Sequence, residues 1–250
     1  MSDGEGRLTV LGHLWELRTR LIKSVIAIAI GACISFIFRD YIIYILKLPA
    51  GDVSLQAIEM TEMMGTYMRV SLIGGIMLAM PYLAYHLIMF VSPALTRKEK
   101  KYVYIILPWI ALMFAGGVVF GYFILVPPAT RFLLTFGSSV AEIQPRVANY
   151  INIISRLLLS IGMVFELPVV TTFLARLGIV KAKWLADKRK VAIISAFILA
   201  ALITPTFDPI NQTLVALPVI VLYEMSIWLA KIFQKKETDV AAPEDEPASG

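Results

Sequence analysis

The chain has 250 residues, of which 58% are hydrophobic, with a formal net charge of +5 and a single cysteine. A soluble domain is about 45–50% apolar; here the apolar residues come in long runs instead of amphipathic stripes, which excludes an ordinary soluble fold and points to an all-α integral membrane protein. The lone Cys33 excludes a disulfide framework or a cysteine-based metal site within the chain, and bases clustered loop by loop exclude the single basic face of a nucleic-acid binder.

In chain order, Leu8 to Leu21 reads as an amphipathic helix running into a first span. At about 100° per residue, Thr9, Gly12, His13, Glu16, Thr19 and Arg20 share one arc, and the apolar side chains share the other. Arg18 projects from the apolar arc; on spacing alone it snorkels to the head groups, while Glu16 and Arg20 form an i, i+4 surface pair. The first span, Leu21 to Phe38, lacks a small-residue cleavage site and is expected to stay as an anchor. An outer loop of about thirty residues around Pro49 leads to the second span, Met68 to Val91, where His86 is expected to be a packing residue.

Ser92 to Lys101 follows as a basic loop. Topology explains its four bases but not Glu99, the one acid among them. The third span, Tyr102 to Val126, ends where Pro127 and Pro128 are expected to open an outer loop of about two dozen residues.

The fourth span, Ile151 to Ala175, carries Glu166 within Phe165-Glu166-Leu167-Pro168. A charge at the centre of a membrane helix costs about 2.5–3.5 kcal/mol, so Glu166 should face protein or a water-filled cavity. Asn152, Ser155, Gly162 and Glu166 fall along one line of the helix, a polar and small-residue stripe expected to face a hydrated concave surface. Pro168 should kink the span by removing the bond to the Val164 carbonyl. On these residues Glu166 is either a functional group or one end of a hydrogen bond between helices.

The fifth span, Val191 to Ile203, is short: roughly thirteen residues rise about 20 Å against a hydrocarbon core of about 30 Å. Thr204 to Gln212 is a proline-stiffened turn with Asp208 and Asn211 available to cap the next helix. The sixth span, Thr213 to Ala230, also reads as short. Residues 1–236 are therefore expected to form one six-helix transmembrane domain, and 237–250, rich in Pro, Ala and acids, a disordered cytoplasmic tail.

Seventeen of the lysines and arginines flank one side of these spans and six lie on the other. Positive residues stay inside, so both termini are expected in the cytoplasm. With two histidines, one cysteine and no nucleophile elbow, H-E-x-x-H or Gly-rich phosphate loop, the sequence carries no enzyme signature.

Four of these places, in this order, resemble the TatC family, the multi-spanning receptor subunit of the twin-arginine protein translocase. His13-Leu14-Trp15-Glu16-Leu17-Arg18 is similar to the family's N-terminal H-L-x-E-L-R, and Ser92 to Lys101 to its first cytoplasmic loop. Phe165-Glu166-Leu167-Pro168 is similar to its F-E-x-P, and Thr204-Pro205 through Asp208 to Gln212 to its last outer turn, here one residue longer than the commoner form. The resemblance implies a receptor in the cytoplasmic (inner) membrane of a prokaryote that binds twin-arginine signal peptides and exports folded proteins with single-span TatA/TatB-type subunits. It also implies self-association, use of the proton-motive force, and no cofactor. By position, Glu16, Arg18, Phe90 and Glu99 would bind the signal peptide, Glu166 would act within the membrane, and Thr204 and Gln212 would contact partner helices.

A different class fits some of the same features. In an ion-coupled secondary transporter Glu166 would be the midplane ion site and the fifth span a broken helix, but such a site needs no acid in the cytoplasmic loops.

Overall fold

The computed structural model describes residues 10–51, 53–91, 97–135, 145–204 and 208–233. Among them the chain is helical and without strands: α1 Val10–Ile37, α2 Arg39–Lys47, α3 Glu62–Val91, α4 Arg97–Phe120, α5 Val126–Thr135, α6 Val147–Phe165, α7 Leu167–Arg176, α8 Ala182–Asp187, α9 Arg189–Ile203 and α10 Pro209–Phe233. Five stretches are long and apolar enough to cross a membrane: Trp15–Ile37, Glu62–Phe90, Ile106–Thr135, Val147–Arg176 and Pro209–Phe233. With 15 residues, α9 rises only about 22 Å and is as short as its apolar run. The segment from Glu237 onward lies outside the described residues.

Two expectations need correction. Pro127 and Pro128 do not open a loop. Beyond α4 the chain widens through one π turn, Gly121–Leu125, and continues as α5. Both prolines fall in the first turn of α5, where the wider turn accommodates rings that lack an N–H to donate. Nor is the last helix short: it has 25 residues. Asp208 starts it ahead of the apolar run, Oδ2 accepting the Asn211 backbone N–H at 2.8 Å, and Pro209 follows at the first helical position, which its fixed φ suits.

The kink expected at Pro168 is present. The helix breaks at Glu166, whose N–H bonds back to the Met163 carbonyl at 3.1 Å in a tightened turn before α7 begins.

The fold is built around α6. Ile151, Ile154, Leu157 and Ile161 are fully buried, and with Leu46, Val70, Leu125, Ala200 and Val215 they form the main core shared with the neighbouring helices. Along α1 and α3 small residues replace large ones at the crossing. A Cβ on Gly31 would stand 2.7 Å from the Gly75 carbonyl oxygen, so only glycine permits this backbone approach. The outward faces keep large apolar side chains exposed, among them Ile30, Leu72, Leu112, Ile198 and Leu217, as contact with lipid requires.

At the end of the molecule where α3 and α6 begin, the two interhelical segments are locked together. Gln56 pairs with Arg146 in an isolated parallel bridge, the Gln56 N–H donating to the Pro145 carbonyl at 3.1 Å and the Val147 N–H to the Gln56 carbonyl at 3.0 Å. Beneath it the Glu62 carboxylate accepts the Ile58 N–H at 2.9 Å, the Ala148 N–H at 3.1 Å and Arg146 at 3.1 Å. Arg146 also reaches Glu59 at 2.9 Å. Hydrogen bonds to Glu59 and Glu62 push the Arg146 pKa up, so its charge is permanent.

Candidate functional site

Three places hold the residues singled out in the sequence. The first lies between the start of α1 and the end of α3. Glu16, Thr19, Arg20 and Lys23 from α1 face Tyr82, Tyr85, His86 and Met89 from α3 across a cavity of about 410 Å³. The i, i+4 pair is present, Arg20 Nε donating to Glu16 Oε1 at 2.9 Å, but it is more than a surface pair. Arg20 is the more enclosed partner, its side chain 19% exposed against 33% for Glu16, and its Nη1 lies 3.4 Å from Nδ1 of His86. His86 is buried with Tyr82 and Tyr85 edge-on to its ring, so it packs as expected and also faces a guanidinium.

Arg18 is not part of this cavity. Two residues along a helix is about 200°, which turns it to the opposite face. There it is exposed, its guanidinium carbon 5.4 Å from the centre of the Trp15 ring. Phe90, half-buried, follows Met89 on α3. Glu99 belongs to the first turns of α4, and its side chain lies outside the described residues, as do residues 92–96.

The second place is the break between α6 and α7. Glu166 is buried, and neither of its carboxylate oxygens has a hydrogen-bond partner among the described residues. Its stripe is not the open face that was expected. Asn152 is exposed, but Ser155 and Gly162 are buried, and a Cβ on Gly162 would meet the Phe114 ring of α4 at 2.7 Å. The small residues of the stripe form a helix-packing seam. Glu166 lies at its end, a buried acid with no donor among the described residues, a position that a donor from another chain would stabilise.

The third place is a groove of about 710 Å³ along one face of α9, floored by Ile194, Phe197, Ile198 and Ala201, with Thr204, Gln212 and Arg156 at its polar end. Gln212 Nε2 donates to the Phe197 carbonyl at 3.0 Å, tying α10 to α9, and the Thr204 hydroxyl donates to the Ala200 carbonyl at 2.8 Å. Thr204 and Gln212 are thus brought together. Sequence reasoning missed Arg156 as their neighbour; its signal is a base one and a half turns into the fourth span, next to the small residue Ser155. Residues 205–207 of the turn lie outside the described residues.

Comparison with known proteins gives one answer. The family described as Sec-independent protein translocase protein (TatC) matches residues 12–218. The chain is 40% identical over 242 residues to the Sec-independent protein translocase protein TatC of Desulforapulum autotrophicum, covering 95% of this chain and 89% of that protein. It is also 40% identical over 232 residues to the protein of the same name from Carboxydothermus hydrogenoformans, covering 92% and 96%. A crystal structure of a twin-arginine translocase receptor, TatC, superposes with a TM-score of 0.78 at 37% identity, over 88% of this chain and 99% of that one.

Proposed function

This chain belongs to the TatC family of Sec-independent protein translocase proteins, and on that premise we propose that it receives twin-arginine signal peptides at the junction of α1, α3 and α4. Glu16 carries the reading. It is an acid lining an open cavity at a strongly basic end of the molecule, with a geometry that already accepts a guanidinium. Glu99 supplies a second acid at the head of α4, and Phe90 an apolar surface for the residues beside the arginine pair. Arg18, on the far face of α1, serves the site from outside the cavity by holding α1 at the head-group level through Trp15.

The chain is a membrane protein that works without enzymatic chemistry, and we read it as a single six-span domain over residues 1–236 with both termini in the cytoplasm. The short α9 is the fifth span, accommodated by local thinning of the bilayer. The groove with Thr204, Gln212 and Arg156 at its polar end suits a single-span TatA/TatB-type helix bearing a polar group. Glu166 serves a later step, pairing with an inserted signal hairpin or a partner helix as folded cargo is moved by the proton-motive force. The cytoplasmic membrane of a prokaryote is the setting this implies. Family membership favours the translocase over the ion-coupled transporter.

The test is binding of a synthetic twin-arginine signal peptide to the purified protein in lipid nanodiscs, beside a peptide with lysines at both positions. A lysine keeps the charge and loses the fork, so the lysine peptide should bind about tenfold or more weakly. Equal affinity for the two would contradict the reading.

A further inference from the structure

We propose that Arg20 is a resident stand-in for the incoming arginine: it occupies Glu16 in the empty receptor, and the signal peptide binds by displacing it. The proposal rests on the assignment of Glu16 to the signal-peptide site and adds a mechanism to it.

Three features of the cavity carry it. Arg20 presents Nε and Nη2 to a single carboxylate oxygen, Glu16 Oε1. No donor among the described residues reaches Oε2, so a second guanidinium has a place to land before the first leaves. Arg20 also has somewhere to go. Its Nη1 already lies 3.4 Å from His86 Nδ1. A guanidinium only donates, so as a hydrogen bond this contact takes the tautomer with a lone pair on Nδ1 and the proton on Nε2, which has no partner among the described residues. In that tautomer the ring offers Arg20 a second acceptor on the α3 side when Glu16 is taken. Finally, Arg20 is the deeper member of the pair and Glu16 the more exposed. An arriving side chain meets the acid first.

The incoming guanidinium can take both carboxylate oxygens where Arg20 takes one, so the exchange favours the peptide, by less than an unoccupied acid would, and the contacts of the rest of the peptide add to it. A lysine cannot match the forked pairing that it must displace, so the resident arginine raises the threshold that a weak signal has to clear. Without a stand-in, the acid would accept any basic peptide near the membrane.

Arg20→Lys separates occupancy from charge, because it keeps the positive charge and weakens the hold on Glu16. Arg20→Lys should bind the twin-arginine peptide about two- to fivefold more tightly than the parent, the range that releasing one partly exposed ion pair allows, and should raise the affinity of the twin-lysine peptide as well. Arg20→Gln should bind at least as tightly as Arg20→Lys. If Arg20→Lys binds like the parent while Arg20→Gln binds more tightly, Arg20 acts by simple repulsion and the proposal is wrong. Weaker binding in both, or loss of the folded protein in both, makes Arg20 a structural strut and overturns it equally. Glu16→Gln in the same assay keeps the two ideas apart: unchanged affinity there removes the receptor assignment itself, whatever the Arg20 variants do.

Discussion

Nη2 of Arg146 stands 3.1 Å from Oε2 of Glu62, across 84 residues of sequence, and this contact fastens the segment before α3 to the segment before α6. Glu59 shares the same arginine but is largely exposed, whereas the Glu62 side chain is 2% exposed and also takes two backbone N–H groups, from Ile58 and Ala148. Glu62→Gln turns an amide NH2 toward donors that need an acceptor. It should lower the melting temperature in detergent several-fold more than Glu59→Gln does, as followed by loss of helicity on heating. Equal shifts would mean that the clamp is held by the Gln56 bridge alone.

The crossing of α1 and α3 predicts a sharp contrast between two glycines. A Cβ on Gly75 would meet the backbone of Ala32, which cannot move aside, while one on Gly116 meets nothing within 4 Å. Gly75→Ala should cost about 1–3 kcal/mol by overpacking. Gly116→Ala should be neutral or stabilising by up to about 1 kcal/mol, since alanine is the better helix former. Thermal unfolding of the two variants side by side decides it.

Topology is open to chemical labelling. With Cys33 replaced by serine, a cysteine at Val53 should react with an impermeant thiol reagent added to intact cells, and one at Lys183 should react only after the membrane is opened; both positions are exposed. The reverse pattern would invert the orientation.

Glu166→Gln keeps the shape and removes the charge. Twin-arginine peptide affinity should stay within about twofold of the parent, because the residue lies about 15 Å of helix rise below the end of α7, while transport of a folded reporter in cells should fall about tenfold or more. Glu166→Leu should fall further. Normal transport in both, at normal protein levels, would leave Glu166 as a packing residue.

Much of the molecule was legible because a bilayer imposes simple rules. The short α9 and the kink at Pro168 follow from rise per residue and backbone hydrogen bonding, and Asp208 announced its cap. Pro127 and Pro128 misled because a π turn upstream lets prolines open a helix, and nothing local in the sequence marks that turn. The Glu166 stripe misled for another reason. Small residues suit a water-lined face and a tight helix crossing equally well, and only the position of Phe114 distinguishes them. Glu62 went unread although an acid in a first helical turn is a recognisable signal; its partner Arg146 is too distant in sequence for periodicity to find. Spacing alone makes Arg20 one end of a surface pair, because His86 belongs to another helix.

The most direct test of the receptor assignment is the dissociation constant of a twin-arginine signal peptide for the parent and for Glu16→Gln and Glu99→Gln in nanodiscs. Each substitution removes a charge-assisted pairing of about 1.5–3 kcal/mol, so each variant should bind about ten- to a hundredfold more weakly while remaining folded and inserted. Affinities unchanged from the parent in both variants would contradict recognition of the arginine pair by these two acids.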